Sequence, residues 1–289
     1  MNNEIVPVEL DYRDLVETYG SPLLVLDQAA VRKQYRALVK ALPGVRMHYA
    51  LKPLPHSAVV ATLKAEGCCF DLATNGEVDL MLENQINPDD RIHTHPIKRD
   101  GDIRYALEYG CKVFVFDNPI ELETFIPYQD KAQLLLRVSF PNPESKVDLS
   151  KKFGCTPEAT LPLLRKAKEL GLNVIGLSFH VGSQVPNSRR HVEAITACNQ
   201  LIRDAAAENI NLQVLDIGGG FPVNYAADGA DLDIYEFCAP IREALSNTPE
   251  GIRLLAEPGR FISAPCMTSV SSVMGKAERF GRMWYYLDD

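Results

Sequence analysis

The residues best suited to chemistry in this sequence each follow a short apolar run. Lys52 closes Tyr49-Ala50-Leu51-Lys52-Pro53, and a lysine set among buried neighbours loses hydration, which lowers its pKa and favours the amine that condenses with a carbonyl. Asp71 ends a second run, with Glu77 a few residues on; His95 follows a third, in His93-Thr94-His95-Pro96. Arg137 ends another, and His180 and Ser183 stand in Ser178-Phe179-His180-Val181-Gly182-Ser183. Asp216-Ile217-Gly218-Gly219-Gly220-Phe221-Pro222 brings three consecutive glycines, whose backbone N–H groups can approach a phosphate closely. Glu257-Pro258-Gly259-Arg260 adds a carboxylate and a guanidinium. The guanidinium suits a phosphate, and the carboxylate could keep a pyridinium nitrogen protonated so that the ring draws off electrons.

Taken singly, each group also has a plainer reading. Most lysines are solvated surface charges, and a lone histidine such as His180 is by default a satisfied core residue. A glycine triplet can be only a tight turn, and Glu257 could be a structural ion-pair partner of Arg260. Position along the chain is what joins these groups.

The apolar runs that carry them alternate with longer amphipathic stretches, the pattern of βα units. Strands are predicted at Arg46–Ala50, Cys68–Asp71, Arg91–His93, Lys112–Phe116, Gln133–Val138, Val174–Phe179, Gln213–Asp216 and Arg253–Ala256. Helices are predicted at Ser57–Ala65, Asn75–Gln85, Asp100–Glu108, Pro119–Phe125, Pro157–Leu170, Ser188–Ala207 and Leu232–Leu245. Thr156-Pro157-Glu158 reads as an N-cap, a first-turn proline and an early acid, and Gly171 as a stop. This strict alternation favours an α/β fold of the (β/α)₈ TIM-barrel type, with a doubly wound sheet as the alternative. In such a barrel the reactive groups sit at the carboxyl ends of the strands, and the loops after strands seven and eight commonly bind phosphate.

Residues 45–262 form the barrel in this division of the chain. Residues 1–44 hold a strand-like Pro22–Leu26 and a helix Gln28–Ala41, and residues 263–289 read as strands, so remnants of a second β domain flank the barrel on both sides. The aromatic run Met283-Trp284-Tyr285-Tyr286-Leu287 needs a partner strand for its backbone groups, and the chain reads as cut short there.

The 289 residues are 46% hydrophobic and 24% charged, enough for a large core. The 38 acidic against 30 basic residues give a net charge of −8, which argues against nucleic acid and mildly favours a cationic substrate. The seven cysteines form no C-x-x-C pair and no metal-ligand spacing with histidine, as reduced cytoplasmic thiols would. Met1–Leu10 lacks the features of a signal peptide, and no apolar run reaches the ~20 residues of a membrane span.

Tyr49–Lys52, Phe70–Ala73, Lys152–Gly154, Ser178–Ser183, Asp216–Pro222 and Ala256–Arg260 together, in this order, resemble the motifs of the alanine-racemase-type barrel decarboxylases, the ornithine and diaminopimelate decarboxylase family. The resemblance runs from about Pro22 to the last residue. It implies pyridoxal 5'-phosphate as cofactor, with Lys52 as its Schiff-base lysine, His180 stacked on its ring and Glu257 paired with its pyridine nitrogen. Ser183, Gly218, Gly219, Gly220, Gly259 and Arg260 would bind its phosphate, while Asp71, Glu77 and Arg137 would order the lysine and the ring environment.

The short connection from Arg137 to Phe153 and the sequence Asp216-Ile217-Gly218 look more like the ornithine or lysine branch than the diaminopimelate branch. His95 departs from the asparagine usual in eukaryotic ornithine enzymes, which keeps bacterial relatives acting on other basic substrates in view. The resemblance implies decarboxylation of a small cationic amino acid in polyamine synthesis, by a homodimer when full length. Diaminopimelate or carboxynorspermidine decarboxylation and a catalytically silent homologue are the alternatives. Family members continue into a β-rich domain that supplies a Cys-Asp pair, a substrate-binding acid and a phosphate-binding tyrosine. These are not found here, so this chain is expected to bind cofactor but not to protonate the product correctly.

Overall fold

A computed structural model describes residues 11–142, 150–225 and 233–289. Met1–Leu10, part of the Arg137-to-Phe153 connection and the first residue of the predicted Leu232–Leu245 helix lie outside the described residues.

Helix α1 (Tyr12–Tyr19), strand β1 (Leu23–Leu26) and helix α2 (Gln28–Ala41) precede the barrel. Asp27 caps α2, its carboxylate accepting from Ala29 N at 2.7 Å and Ala30 N at 3.1 Å, which satisfies backbone donors that a helix start leaves unpaired. Eight parallel strands follow: β2 (Val45–Ala50), β3 (Cys69–Leu72), β4 (Arg91–His93), β5 (Val113–Phe116), β6 (Gln133–Val138), β7 (Val174–Phe179), β8 (Val214–Asp216) and β9 (Arg253–Ala256). They pair in sequence order, and β9 pairs back onto β2 through Arg46↔Leu255 and Met47↔Ala256, closing the barrel. Closure excludes the doubly wound sheet.

Helices α3 (Ser57–Ala65), α4 (Asn75–Glu83), α5 (Asp100–Glu108), α6 (Pro119–Glu123), α7 (Pro157–Glu169), α8 (Arg189–Ala207) and α9 (Ile234–Leu245) connect the strands. As the sequence predicts, Thr156 caps α7 and Pro157 occupies its first turn. The helices bury their apolar faces on the outward side chains of the strands, as with Phe70, Leu72, Leu136 and Leu177, in one continuous core. Val115, Leu135, Ile175, Val214 and Leu255 form a separate apolar cluster, one member from each of β5 to β9. Apolar side chains of this kind fill the interior of a barrel of this size.

Residues 263–289 begin differently from the predicted run of strands. The short helix α10 (Arg260–Ser263) and a 3₁₀ turn come first, then β10 (Met267–Val270), β11 (Val273–Arg279) and β12 (Arg282–Leu287). β10 pairs antiparallel with β1, Leu23 opposite Val270 and Leu26 opposite Met267. The aromatic β12 finds its backbone partner in β11. All seven cysteines are buried and unpaired in disulfides, and no helix among the described residues is long and apolar enough to cross a membrane.

Candidate active site

The carboxyl ends of the barrel strands surround a cavity of about 770 Å³. Lys52, Asp71, Glu77, Arg137, His180, Ser183, Gly220, Glu257, Gly259 and Arg260 all line it, so parallel register brings together residues spread over two hundred positions. Gly218 and Gly219 are not among the lining residues. Lys52 is exposed to solvent, which corrects the expectation that buried neighbours desolvate it. Leu51 before it is fully buried and bonds its N–H to the Asp71 carbonyl, so the turn is anchored while the side chain is left free to reach.

On the β3 side, Thr94 donates to Asp71 Oδ1 at 2.6 Å. Burial raises the Asp71 pKa, and the nearby carboxyls of Asp216 and Glu77 add to the rise. Glu77 lies at the start of α4, where Oε2 accepts from Ala73 N at 2.6 Å and Thr74 N at 3.1 Å, while Thr74 caps Glu77 N in return. This reciprocal capping box spends the carboxylate on the helix end that follows Asp71. The β4 loop bearing His95 is held by Lys98, whose buried ammonium donates to the carbonyls of His95 at 2.9 Å and Val115 at 2.7 Å. Its counter-charge is Glu121, at 2.6 Å and also buried.

Arg137 at the end of β6 lies over the Phe153 ring, 5.4 Å from its centre, and the His95 ring meets Phe153 edge-on at 5.8 Å. The Phe153 segment is fixed by Gly154 N donating to Asp117 Oδ2 at 2.7 Å and by Cys155 N donating to the Arg137 carbonyl. Burial lowers the Arg137 pKa, while Glu257, Asp117, Asp71 and Asp216 oppose that shift. One guanidinium therefore serves several carboxyls.

His180 Nδ1 accepts from Gly182 N at 3.0 Å, which puts the proton of the neutral ring on Nε2. Burial, with Arg137, His191 and Lys52 nearby, pushes its pKa down to about 3. At neutral pH the ring is an uncharged plate. Asp216 at the end of β8 is wholly buried; one of its oxygens accepts from Gly218 N at 2.9 Å. Burial raises the Glu257 pKa well above the usual carboxylate range, and Asp216 and Asp71 push it further.

Arg260 does not pair with Glu257. It donates to Ser183 Oγ at 3.1 Å and to the Tyr225 hydroxyl at 2.8 Å, forming a cationic, hydroxyl-rich corner beside Gly220. Gly218 has φ +65° and packs so tightly on the Phe179 carbonyl that a side chain has no room. A Cβ on Gly219 would stand 2.6 Å from the Glu257 carbonyl, and one on Gly259 would stand 2.8 Å from Pro53 Cγ. The glycines thus let β7, β8 and β9 converge under this corner.

These features suit pyridoxal phosphate. An amine lies at one wall, a guanidinium with two hydroxyls and a glycine loop can take the phosphate, and a neutral imidazole and a buried carboxyl face the same space. Sequence reasoning missed Thr94, Asp117 and Phe153 as site residues, although strand ends at β4 and β5 and the Lys152–Gly154 motif pointed to them. It named Asp216 only as part of a motif. Nothing in the sequence around Tyr225 signalled its bond to Arg260.

Residues 28–264 match the family described as pyridoxal-dependent decarboxylase, pyridoxal binding domain. The chain is 31% identical over 281 residues to the lysine/ornithine decarboxylase of Selenomonas ruminantium, covering 97% of this chain and 71% of that protein. Against the ornithine decarboxylase of Mus musculus it is 34% identical, over 87% of this chain and 55% of that one. The structure of lysine/ornithine decarboxylase from Vibrio vulnificus complexed with putrescine is 55% identical, with a TM-score of 0.91, over 96% of this chain and 74% of that one; a complex with cadaverine has the same identity and TM-score, over 72% of that chain. With the barrel closed and the motif residues gathered at its mouth, the chain belongs to the pyridoxal-phosphate-dependent ornithine and lysine decarboxylase family.

Proposed function

We propose that this chain carries the cofactor-binding barrel of a decarboxylase of small cationic amino acids, ornithine foremost and lysine next, working in polyamine synthesis. The observation that carries this reading is the one cavity in which Lys52, the Arg260–Ser183 corner and Glu257 meet, beyond the ends of β2, β7 and β9. Bound pyridoxal phosphate supplies an electron sink for the electron pair left when carbon dioxide departs.

The protein's own groups would do the rest. Lys52 would hold the cofactor's carbonyl carbon through its amine and yield it to the substrate amine. Arg260, Ser183 and the amides of Gly220 and Gly259 would bind phosphate, while Gly218 and Gly219, packed against neighbouring backbone, would shape the loop that presents them. His180, neutral at working pH, would pack on the ring face, and Glu257 would hold a proton at the ring nitrogen. Asp71, Glu77 and Arg137 would order the lysine and the ring surroundings. Putrescine and cadaverine are the diamines that ornithine and lysine become on losing carbon dioxide. Their presence in the Vibrio vulnificus complexes supports a basic substrate over diaminopimelate or carboxynorspermidine, and retention of Lys52 and Glu257 supports an active enzyme over a silent homologue. We place it in the cytoplasm, as a homodimer.

The test is twofold. Purified protein mixed with pyridoxal phosphate should show the visible absorbance of lysine-bound cofactor, and Lys52→Ala should remove it. Carbon dioxide release from ornithine, lysine and diaminopimelate then ranks the substrates. A colourless wild type refutes the site assignment, and preferred turnover of diaminopimelate refutes the substrate class.

A further inference from the structure

Asp216 presents an unusual problem for a carboxylate. It is fully buried, Oδ1 accepts from Gly218 N at 2.9 Å, and Oδ2 is buried with no N–H, hydroxyl or cation donating to it. A buried oxygen left so is costly, and such groups in folded proteins nearly always have a partner. The group set beside Asp216 is the carboxyl of Glu257, on the neighbouring strand end.

The backbone fixes this approach: Ile217 N donates to the Leu255 carbonyl at 2.9 Å, and Glu257 N to the Gly218 carbonyl at 2.7 Å. Two carboxyls so placed, one of them wholly buried, resist ionising together at ordinary pH. The other charged groups facing them are Asp71 from β3, which worsens the repulsion on Glu257, and Arg137 from β6, which relieves it. One guanidinium spread over three carboxyls leaves room for a bound proton.

We propose that Asp216 is a positioning residue that keeps a proton on Glu257, so that Glu257 meets the cofactor ring nitrogen already loaded as a proton donor. This rests on the assignment of Glu257 to the ring nitrogen made above. In balance, the Glu257 O–H bond breaks, an N–H bond forms at the ring, and the carboxylate left behind is compensated by that N–H and by Arg137. No proton has to come from solvent.

Two measurements test it. In cofactor-free protein at neutral pH, the infrared difference between wild type and Glu257→Gln should contain a neutral-carboxyl stretch. That stretch should be missing from the difference between Asp216→Asn and the Asp216→Asn/Glu257→Gln double variant, because asparagine donates to Oε and lets Glu257 ionise. Calorimetry of pyridoxal phosphate binding in buffers of different ionisation enthalpy should show Asp216→Asn taking up about one proton more than wild type. A neutral-carboxyl stretch that survives Asp216→Asn, or equal proton uptake by both proteins, overturns the proposal. If Asp216→Asn fails to bind cofactor, the infrared comparison still decides. A Glu257→Gln protein whose cofactor affinity and spectrum match wild type would instead overturn the ring-nitrogen assignment, leaving the carboxyl pair to stand or fall on the infrared result.

Discussion

Replacing His93 with glutamine should flatten the acid side of this protein's stability curve. His93 ends β4 beneath the site; it is 2% exposed, its Nδ1 has no partner, and its ring lies 5.7 Å from that of Phe114. Burial first, then the charges of Lys98 and His95, pushes its pKa from 6.5 down to about 3. The unfolded chain therefore binds the proton more readily than the folded one. The stabilisation from keeping this ring neutral is complete above pH 6.5 and is lost as pH falls toward 3. At about pH 5.5 the unfolded imidazole is about 90% charged and the folded one is not, which is worth about 1.4 kcal/mol relative to pH 7.5. The raised carboxyls of Asp71 and Glu257 pull in the opposite direction, so the quantity to read is a difference. Urea midpoints of wild type and His93→Gln, both without cofactor, should converge by about 1.4 kcal/mol between about pH 7.5 and pH 5.5. Curves that stay parallel to within about 0.3 kcal/mol would refute the claim that His93 is held neutral by burial.

Other substitutions probe the site directly. Gly218→Ala forces a side chain into a left-handed turn already pressed on the Phe179 carbonyl, and should cost about 3 kcal/mol or more in urea unfolding. Tyr225→Phe removes the hydroxyl that takes the Arg260 bond; pyridoxal phosphate affinity, read from visible absorbance, should fall about 3- to 10-fold. Arg260→Ala should weaken it about 10- to 100-fold. Glu121→Gln strips the buried Lys98 ammonium of its counter-charge, and should lower stability by about 3–5 kcal/mol.

The barrel was legible because parallel strands buried on both faces must be written as apolar runs. Gln133–Val138 and Val174–Phe179 emerge with unchanged limits. α1 was missed although its apolar residues recur on one face: it precedes the strand–helix alternation that guided the reading, and it buries none of its residues. α10 is a single turn, too short to have one. The motif residues could be placed at strand ends, but the solvation of Lys52 depends on how Pro53 and the loops opposite pack, which local sequence does not encode. The proximity of Asp216 to Glu257 arises from β8–β9 register across about forty positions, and only the folded barrel reveals that they are neighbours.

The β1–β10 ribbon has a consequence in time. Leu23 is made roughly 250 residues before Val270, its partner. At typical synthesis rates of about 5–20 residues per second, β1 waits roughly 10–50 s with its ladder edge open while the barrel between them is made. For that interval its backbone donors must stay solvated or covered by other factors, and the ribbon can form only after every barrel strand has been made.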